Sequence, residues 1–220
     1  MNRVLQRILL PLPSIVRWYL SKKRIYKSRG LRIIVLPGVF HPGFFFSTEM
    51  MLQYLSQQSF RGKSVLEVGA GTGIISLFIA KQGGDVTATD ISERAIENIR
   101  LNASENNLPL TVVRSNLFDH IDGKYEWIVV NPPYYARNPL TEAEYAWHCG
   151  ENHEYFRTFF SGLAAHMSAG CRAVMVLSDV CDLKTIFQIA SENNFKLETQ
   201  QEKNVWADGR NYIFSIKSAI

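Results

Sequence analysis

From residue 64 onward, short apolar runs alternate with stretches of helical periodicity, and this alternation narrows the possible folds more than any other feature. "SVLEV" (64–68), "DVTAT" (85–89), "LTVVR" (110–114), "WIVV" (127–130) and "RAVMVL" (172–177) have the length and β-branched content of buried strands. Helical patterns lie between them. Ile74, Leu77 and Phe78 form one; Ile96, Ile99 and Ala103, opened by Ser92, form another. Phe156, Phe159, Phe160 and Leu163 form a third, with Gly170 placed to stop it, and Asp182 caps a fourth bearing Leu183, Ile186, Phe187 and Ala190. "FKLETQ" (195–200) and "NYIFSI" (211–216) close the chain as a hairpin. The prediction is an α/β, doubly wound domain: a mostly parallel seven-stranded sheet, helices on both faces, and a C-terminal antiparallel hairpin.

Ahead of this domain, "LRIIVLPGVFHPG" (31–43) reads as a strand, a Pro-Gly turn and a second extended piece. Ser47 then caps a helix bearing Met51, Tyr54 and Leu55. The expected organisation is an arm (1–30), a strand-hairpin and helix lead-in (31–62), and the main domain (63–220). Charge is distributed unevenly across these parts. Arg3, Arg7, Arg17, Lys22, Lys23, Arg24, Lys27, Arg29 and Arg32 all precede the first acid, Glu49, while the remaining Lys and Arg are outnumbered by the 20 acids. A basic arm over 1–32 implies contact with a polyanion such as RNA, a ribosome or a membrane surface; a solvated extension without a partner is the plainer alternative. Pro11 and Pro13 interrupt its apolar stretch, and Arg7 and Arg17 lie within it, so neither a signal peptide nor a membrane span is expected. Three cysteines without C-x-x-C spacing suit a reducing, cytoplasmic setting. His148, Cys149 and His153 lack the second pair that a four-ligand metal site needs, so no metal is expected.

The ends of the first two strands carry ligand signals. "VLEVGAGTG" places Gly69, Gly71 and Gly73 where the backbone must turn tightly, in a G-x-G-x-G spacing that differs from the dinucleotide fingerprint G-x-G-x-x-G. Asp90 ends the second strand, 23 positions beyond Glu67, where a carboxylate can accept hydrogen bonds from both ribose hydroxyls. Glu67 is an acid in an otherwise apolar strand and needs a cationic or hydrogen-bonding partner. S-adenosylmethionine offers a ribose, an ammonium and a sulfonium and carries no phosphates.

The fourth strand runs into Asn131-Pro132-Pro133-Tyr134. Two prolines fix two φ angles, so the Asn131 side-chain oxygen and the Pro132 carbonyl become pre-aimed acceptors for the two hydrogens of a planar –NH2. Holding both hydrogens points the nitrogen's electron pair at a methyl donor, and Tyr134 can stack on a flat substrate or face the sulfonium.

"LEVGAGTG", the Thr89-Asp90 pair and "NPPY", in that order, resemble the class I S-adenosylmethionine-dependent methyltransferases of the small methyltransferase domain group, with their Rossmann-like fold. Within that group the chain looks most like the glutamine methyltransferases of peptide-chain release factors. "VFHPGFFFSTEMML" (39–52) and "AEYAWHCGENHEYFRTFF" (143–160) are similar to that family's flanking segments. The resemblance, over roughly 30–220, implies cofactor contacts at Thr48, Glu67, Gly69, Asp90, Asn116 and Leu117. It also implies Asn131 as the ligand of the substrate amino group, with Pro132 and Tyr134 completing the slot. Asn116 stands where many members carry Asp, and the separate helical substrate-recognition domain of the bacterial glutamine enzymes has no counterpart here.

NPPY chemistry serves the amide of glutamine, the N6 of adenine and the N2 of guanine alike. The expected function is therefore N-methylation of a macromolecule, either a translation-related protein or RNA. A non-catalytic, cofactor-binding assembly factor is the rival from another class, and the glycine spacing disfavours a dinucleotide oxidoreductase.

Overall fold

A computed structural model of the chain describes residues 21–205 and 209–219, so the expectations for residues 1–20 lie outside the described residues. The main sheet runs β5-β4-β3-β6-β7-β9-β8. Its strands are β3 (Ser64–Val68), β4 (Asp85–Asp90), β5 (Thr111–Arg114), β6 (Tyr125–Val130), β7 (Met167–Ser178), β8 (Phe195–Val205) and β9 (Gly209–Ser218). The first five are parallel, and β9 pairs antiparallel with both β7 and β8. The fold is the doubly wound α/β architecture that the alternation predicts.

Strand alternation sorts side chains between two cores. Val65, Trp127, Val129, Val174 and Val176 face α1 (Phe46–Leu55) and α2 (Ile74–Lys81). Leu66, Val68, Ile128, Val130 and Met175 face α4 (Glu154–Leu163) and α5 (Leu183–Glu192), where the Phe156, Phe159, Phe160 and Leu163 stripe is fully buried. The same period of two puts Glu67 on the α2 side with Val65. Gly170 does not stop α4. That helix ends at Leu163 in a 3-10 turn, and Gly170 lies inside β7 with φ +75°, where the β6–β7 register shifts between Tyr125 and Trp127.

The lead-in departs further from expectation. β1 (Arg24–Ser28) and β2 (Leu31–Val35) form a separate antiparallel hairpin, so the boundary drawn at residue 30 falls inside it. Its two-residue loop, Arg29-Gly30, has φ +51° and +70°, as a type I′ turn demands. The second extended piece expected before residue 43 is instead a 3-10 turn, Pro42–Phe44, which Pro42 favours by fixing φ at its start. Ser47 does not cap α1; Phe45 holds that position, and Ser47 lies buried in the first turn.

A polar ladder fixes the hairpin to the domain. Asn98, Asn102 and Asn106 on α3 (Glu93–Asn106) accept from the backbone N–H groups of Leu36, Ile34 and Arg32 at 2.9, 2.7 and 2.9 Å. Their amide nitrogens donate to the carbonyls of Ile34 and Arg32, and Asn102 also donates to Thr72. Four residues of helix rise about 6 Å and two of strand about 6.6 Å, so side chains at i, i+4 and i+8 can satisfy a strand edge at every second residue. Two arm cations are also tied to the domain, Arg29 to Glu49 and Arg32 to Glu105.

Candidate active site

Strand order reverses at β3, between β4 and β6, and ligands of open α/β sheets bind beyond the carboxyl ends of the strands at such a point. A cavity of about 660 Å³ lies there, the size of a small-molecule site. Its wall includes Thr48, Glu67, Gly69, Gly71, Asp90, Asn116, Leu117, Asn131, Pro132, Pro133 and Tyr134. Of the residues singled out from the sequence, Gly73 alone stands outside it. With φ +77° it starts α2, and a Cβ there would approach Ile99 to 3.1 Å, so its role is close helix packing.

Glu67 is 3% exposed and accepts from the Ser76 backbone N–H at 2.7 Å and from the Ser76 hydroxyl. Burial lifts its pKa from 4.5 to about 8; the Ser76 bonds oppose that rise and the Asp90 charge adds to it. Asp90 accepts from Gly71 N–H and Ser92 N–H, each at 2.9 Å, while the Ser92 hydroxyl takes the Ala95 N–H and caps α3. The glycine loop thus spends a backbone donor on a carboxylate instead of holding it for a phosphate. Leu117 has φ +51°, a strained conformation for a bulky residue, and lines the wall beside Asn116.

At the opposite wall Asn131 is held from two sides. Its Nδ2 donates to Ser47 Oγ at 3.4 Å and its Oδ1 accepts from the Tyr134 hydroxyl at 3.4 Å. Both contacts are long for hydrogen bonds. An amide oxygen has two lone pairs, so Oδ1 keeps one for a ligand.

Several wall residues escaped the sequence reading. Glu142, Glu154 and Asp179 join Glu67 and Asp90, and among the described residues no Lys or Arg lines the cavity. Phe40, Phe45 and Trp147 form an aromatic cluster there, with ring centroids 4.8–5.1 Å apart. The Phe-Phe-Phe run at 44–46 was the available signal for that cluster. The acids had none, because they converge from three separate segments. His148, Cys149 and His153 do not converge: Cys149 donates to the Tyr135 carbonyl, and His153 faces Asp182 across 3.8 Å.

The fold is the Rossmann-like one found among methyltransferases. It is similar to the T. thermophilus 16S rRNA N2 G1207 methyltransferase in complex with AdoMet and guanosine, with 21% identity, TM-score 0.65, and 94% of this chain and 52% of that one covered. It is likewise similar to the E. cuniculi Mtq2–Trm112 complex, described as methylating the eRF1 termination factor, with 20% identity, TM-score 0.62, and 82% and 99% covered. A family model described as methyltransferase small domain matches residues 30–148, and the chain belongs to that family. Over 123 residues it is 35% identical to the ribosomal RNA small subunit methyltransferase C of Yersinia pestis (strain Pestoides F), covering 54% of this chain and 35% of that protein. The chain thus spans about a third of the length of the curated relatives it matches.

Proposed function

We propose that this chain is an S-adenosylmethionine-dependent N-methyltransferase whose acceptor is a planar, conjugated –NH2 on a macromolecule, an RNA base or a protein glutamine. One observation carries the reading: the Asn131–Tyr134 loop walls the same cavity as Glu67 and Asp90, so an amine-gripping loop adjoins an acid-lined ligand site. Five acidic side chains and, among the described residues, no Lys or Arg suit a cationic nucleoside better than a nucleotide's phosphates, so the residues present fit this cofactor. When bound, the cofactor supplies a methyl carbon activated by its sulfonium.

The protein's own part is alignment. Asp90 would hold the ribose, Asn116 and Leu117 the adenine, and Glu67 the amino-acid end. Asn131 Oδ1 and the Pro132 carbonyl take the two amine hydrogens, and Tyr134 stacks on the acceptor plane. A conjugated amine is a poor nucleophile, and orienting reactants recovers roughly 7–11 kcal/mol of barrier. The relative named for ribosomal RNA supports an RNA acceptor. Exposed Phe44, Leu140 and Tyr145, in segments that also supply wall residues, would suit a protein acceptor.

The test is transfer of tritiated methyl from S-adenosylmethionine to fractionated lysate, followed by nuclease or protease treatment. Label is expected in macromolecules with the wild-type protein and not with Asn131→Ala. Equal labelling by both would remove Asn131 from the chemistry. Cofactor binding without any labelling would favour an assembly factor.

A further inference from the structure

Resting on that cofactor reading, we infer that the acceptor is an RNA base, swung out of its strand and stacked on the wall formed by Phe40, Phe45 and Trp147. Phe40 and Phe45 stack at 4.8 Å with 30° between planes, and Trp147 lies 5.1 and 4.8 Å from them. The three come from two distant segments, the turn before α1 and the loop after NPPY, and all three remain half-buried on the wall that Asn131 shares. A base offers this wall a π-face far larger than the small planar amide of a glutamine.

Charge is layered to match. The cavity is lined with acids, so a phosphate backbone is kept out and a base alone can enter. Exposed Lys22, Lys23 and Lys27 lie on and just before the β1–β2 hairpin. That hairpin abuts the aromatic turn: the Tyr26 ring lies 5.7 Å from His41, and His41 lies 4.7 Å from Phe44. Gly43 is packed so closely that a Cβ would fall 2.7 Å from the Tyr26 ring. The lysines of the hairpin, the ring wall and the acid-lined pocket would serve phosphate, base and cofactor in turn.

The experiment measures anisotropy of fluorescein-labelled 12-mer oligoadenylate and oligoguanylate RNA with saturating S-adenosylhomocysteine. At least one is expected to bind. Trp147→Ala and Phe45→Ala should each weaken binding about 10-fold with an unchanged salt slope, while Trp147→Phe retains most of the affinity. Replacing Lys22, Lys23 and Lys27 together with Ala should lower the slope of log K against log salt by about 2. Wild-type-like binding by both ring variants would overturn the inference, as would capture of a glutamine peptide in place of RNA. Calorimetry with S-adenosylhomocysteine separates the two levels. If the wild type does not bind it, the cofactor reading fails; if it binds while RNA does not, only the base slot fails.

Discussion

Ser47 Oγ stands 3.4 Å from Asn131 Nδ2, joining the first turn of α1 to the rigid loop after β6 across 84 positions of sequence. The contact braces the amide from the lead-in side while Tyr134 engages its oxygen. Ser47→Ala should lower methyl transfer about 5-fold, the worth of one ordinary hydrogen bond, and leave S-adenosylhomocysteine affinity unchanged. Asn131→Ala should lower transfer about 100-fold or more, because alignment itself is lost. Single-turnover rates check both; an affinity loss in Ser47→Ala would make it a cofactor-site residue instead.

Glu67 sets a pH dependence. Its folded pKa, about 8, lies above the ordinary 4.5, so the fold favours the protonated acid. Its contribution to stability is fully present below pH 4.5 and is lost as pH rises through about 8. Thermal melts of ligand-free protein should show Glu67→Gln gaining on the wild type steadily across that window. Parallel curves would show that Glu67 is already ionised in the fold.

Asn102 is the centre of the ladder, serving Ile34 N–H, the Ile34 carbonyl and the Thr72 carbonyl from one buried side chain. Asn102→Ala strands buried backbone groups and should cost about 2–4 kcal/mol, a fall in Tm of roughly 4–16 °C. Asn102→Asp should not restore stability, since both donors are gone and a buried charge is added. Denaturant titration measures each variant.

Tyr155 presents the reverse case. Among the described residues its buried hydroxyl has no hydrogen-bond partner, although the ring is fixed edge-on to Phe156 and lines the cavity. Burial and the nearby Asp90 charge push its pKa up. Tyr155→Phe should therefore leave the ligand-free Tm unchanged or raise it by about 2–4 °C. A clear fall on calorimetry would reveal a partner for that oxygen.

If the arm meets RNA, deleting residues 1–20 should flatten the salt dependence of RNA binding, each lost phosphate contact lowering the slope by about 0.7. The cut must stop short of Arg24, because Arg24–Ser28 is a strand and Arg29 and Arg32 are already paired with acids of the domain. Filter binding at several salt concentrations gives the slope; an unchanged one would leave the arm without a polyanion to bind.

Local information sufficed for much of this molecule. A strand of five residues ending in Gly-Ala-Gly, a helix stripe of Phe156, Phe159 and Phe160, and caps at Ser92 and Asp182 are each fixed by neighbours a few positions away, and each is present. The hairpin at Arg29-Gly30 was equally local and was hidden by the basic character of the arm. Gly170 misled because a glycine after a helix and a glycine in a strand irregularity look identical in sequence.

The sequence by itself determined the doubly wound class and singled out Glu67, Asp90 and Asn131–Tyr134 as candidates, since periodicity, glycine spacing and Asn-Pro-Pro-Tyr are properties of adjacent residues. Tertiary structure alone decided that Ser47 braces Asn131, that Asn102 closes the edge of β2, and that Gly73 packs on Ile99 outside the cavity wall. The physical reason is range. Backbone preferences act over a turn of chain, whereas burial, desolvation and hydrogen bonding depend on which distant groups the sheet order brings within a few ångströms.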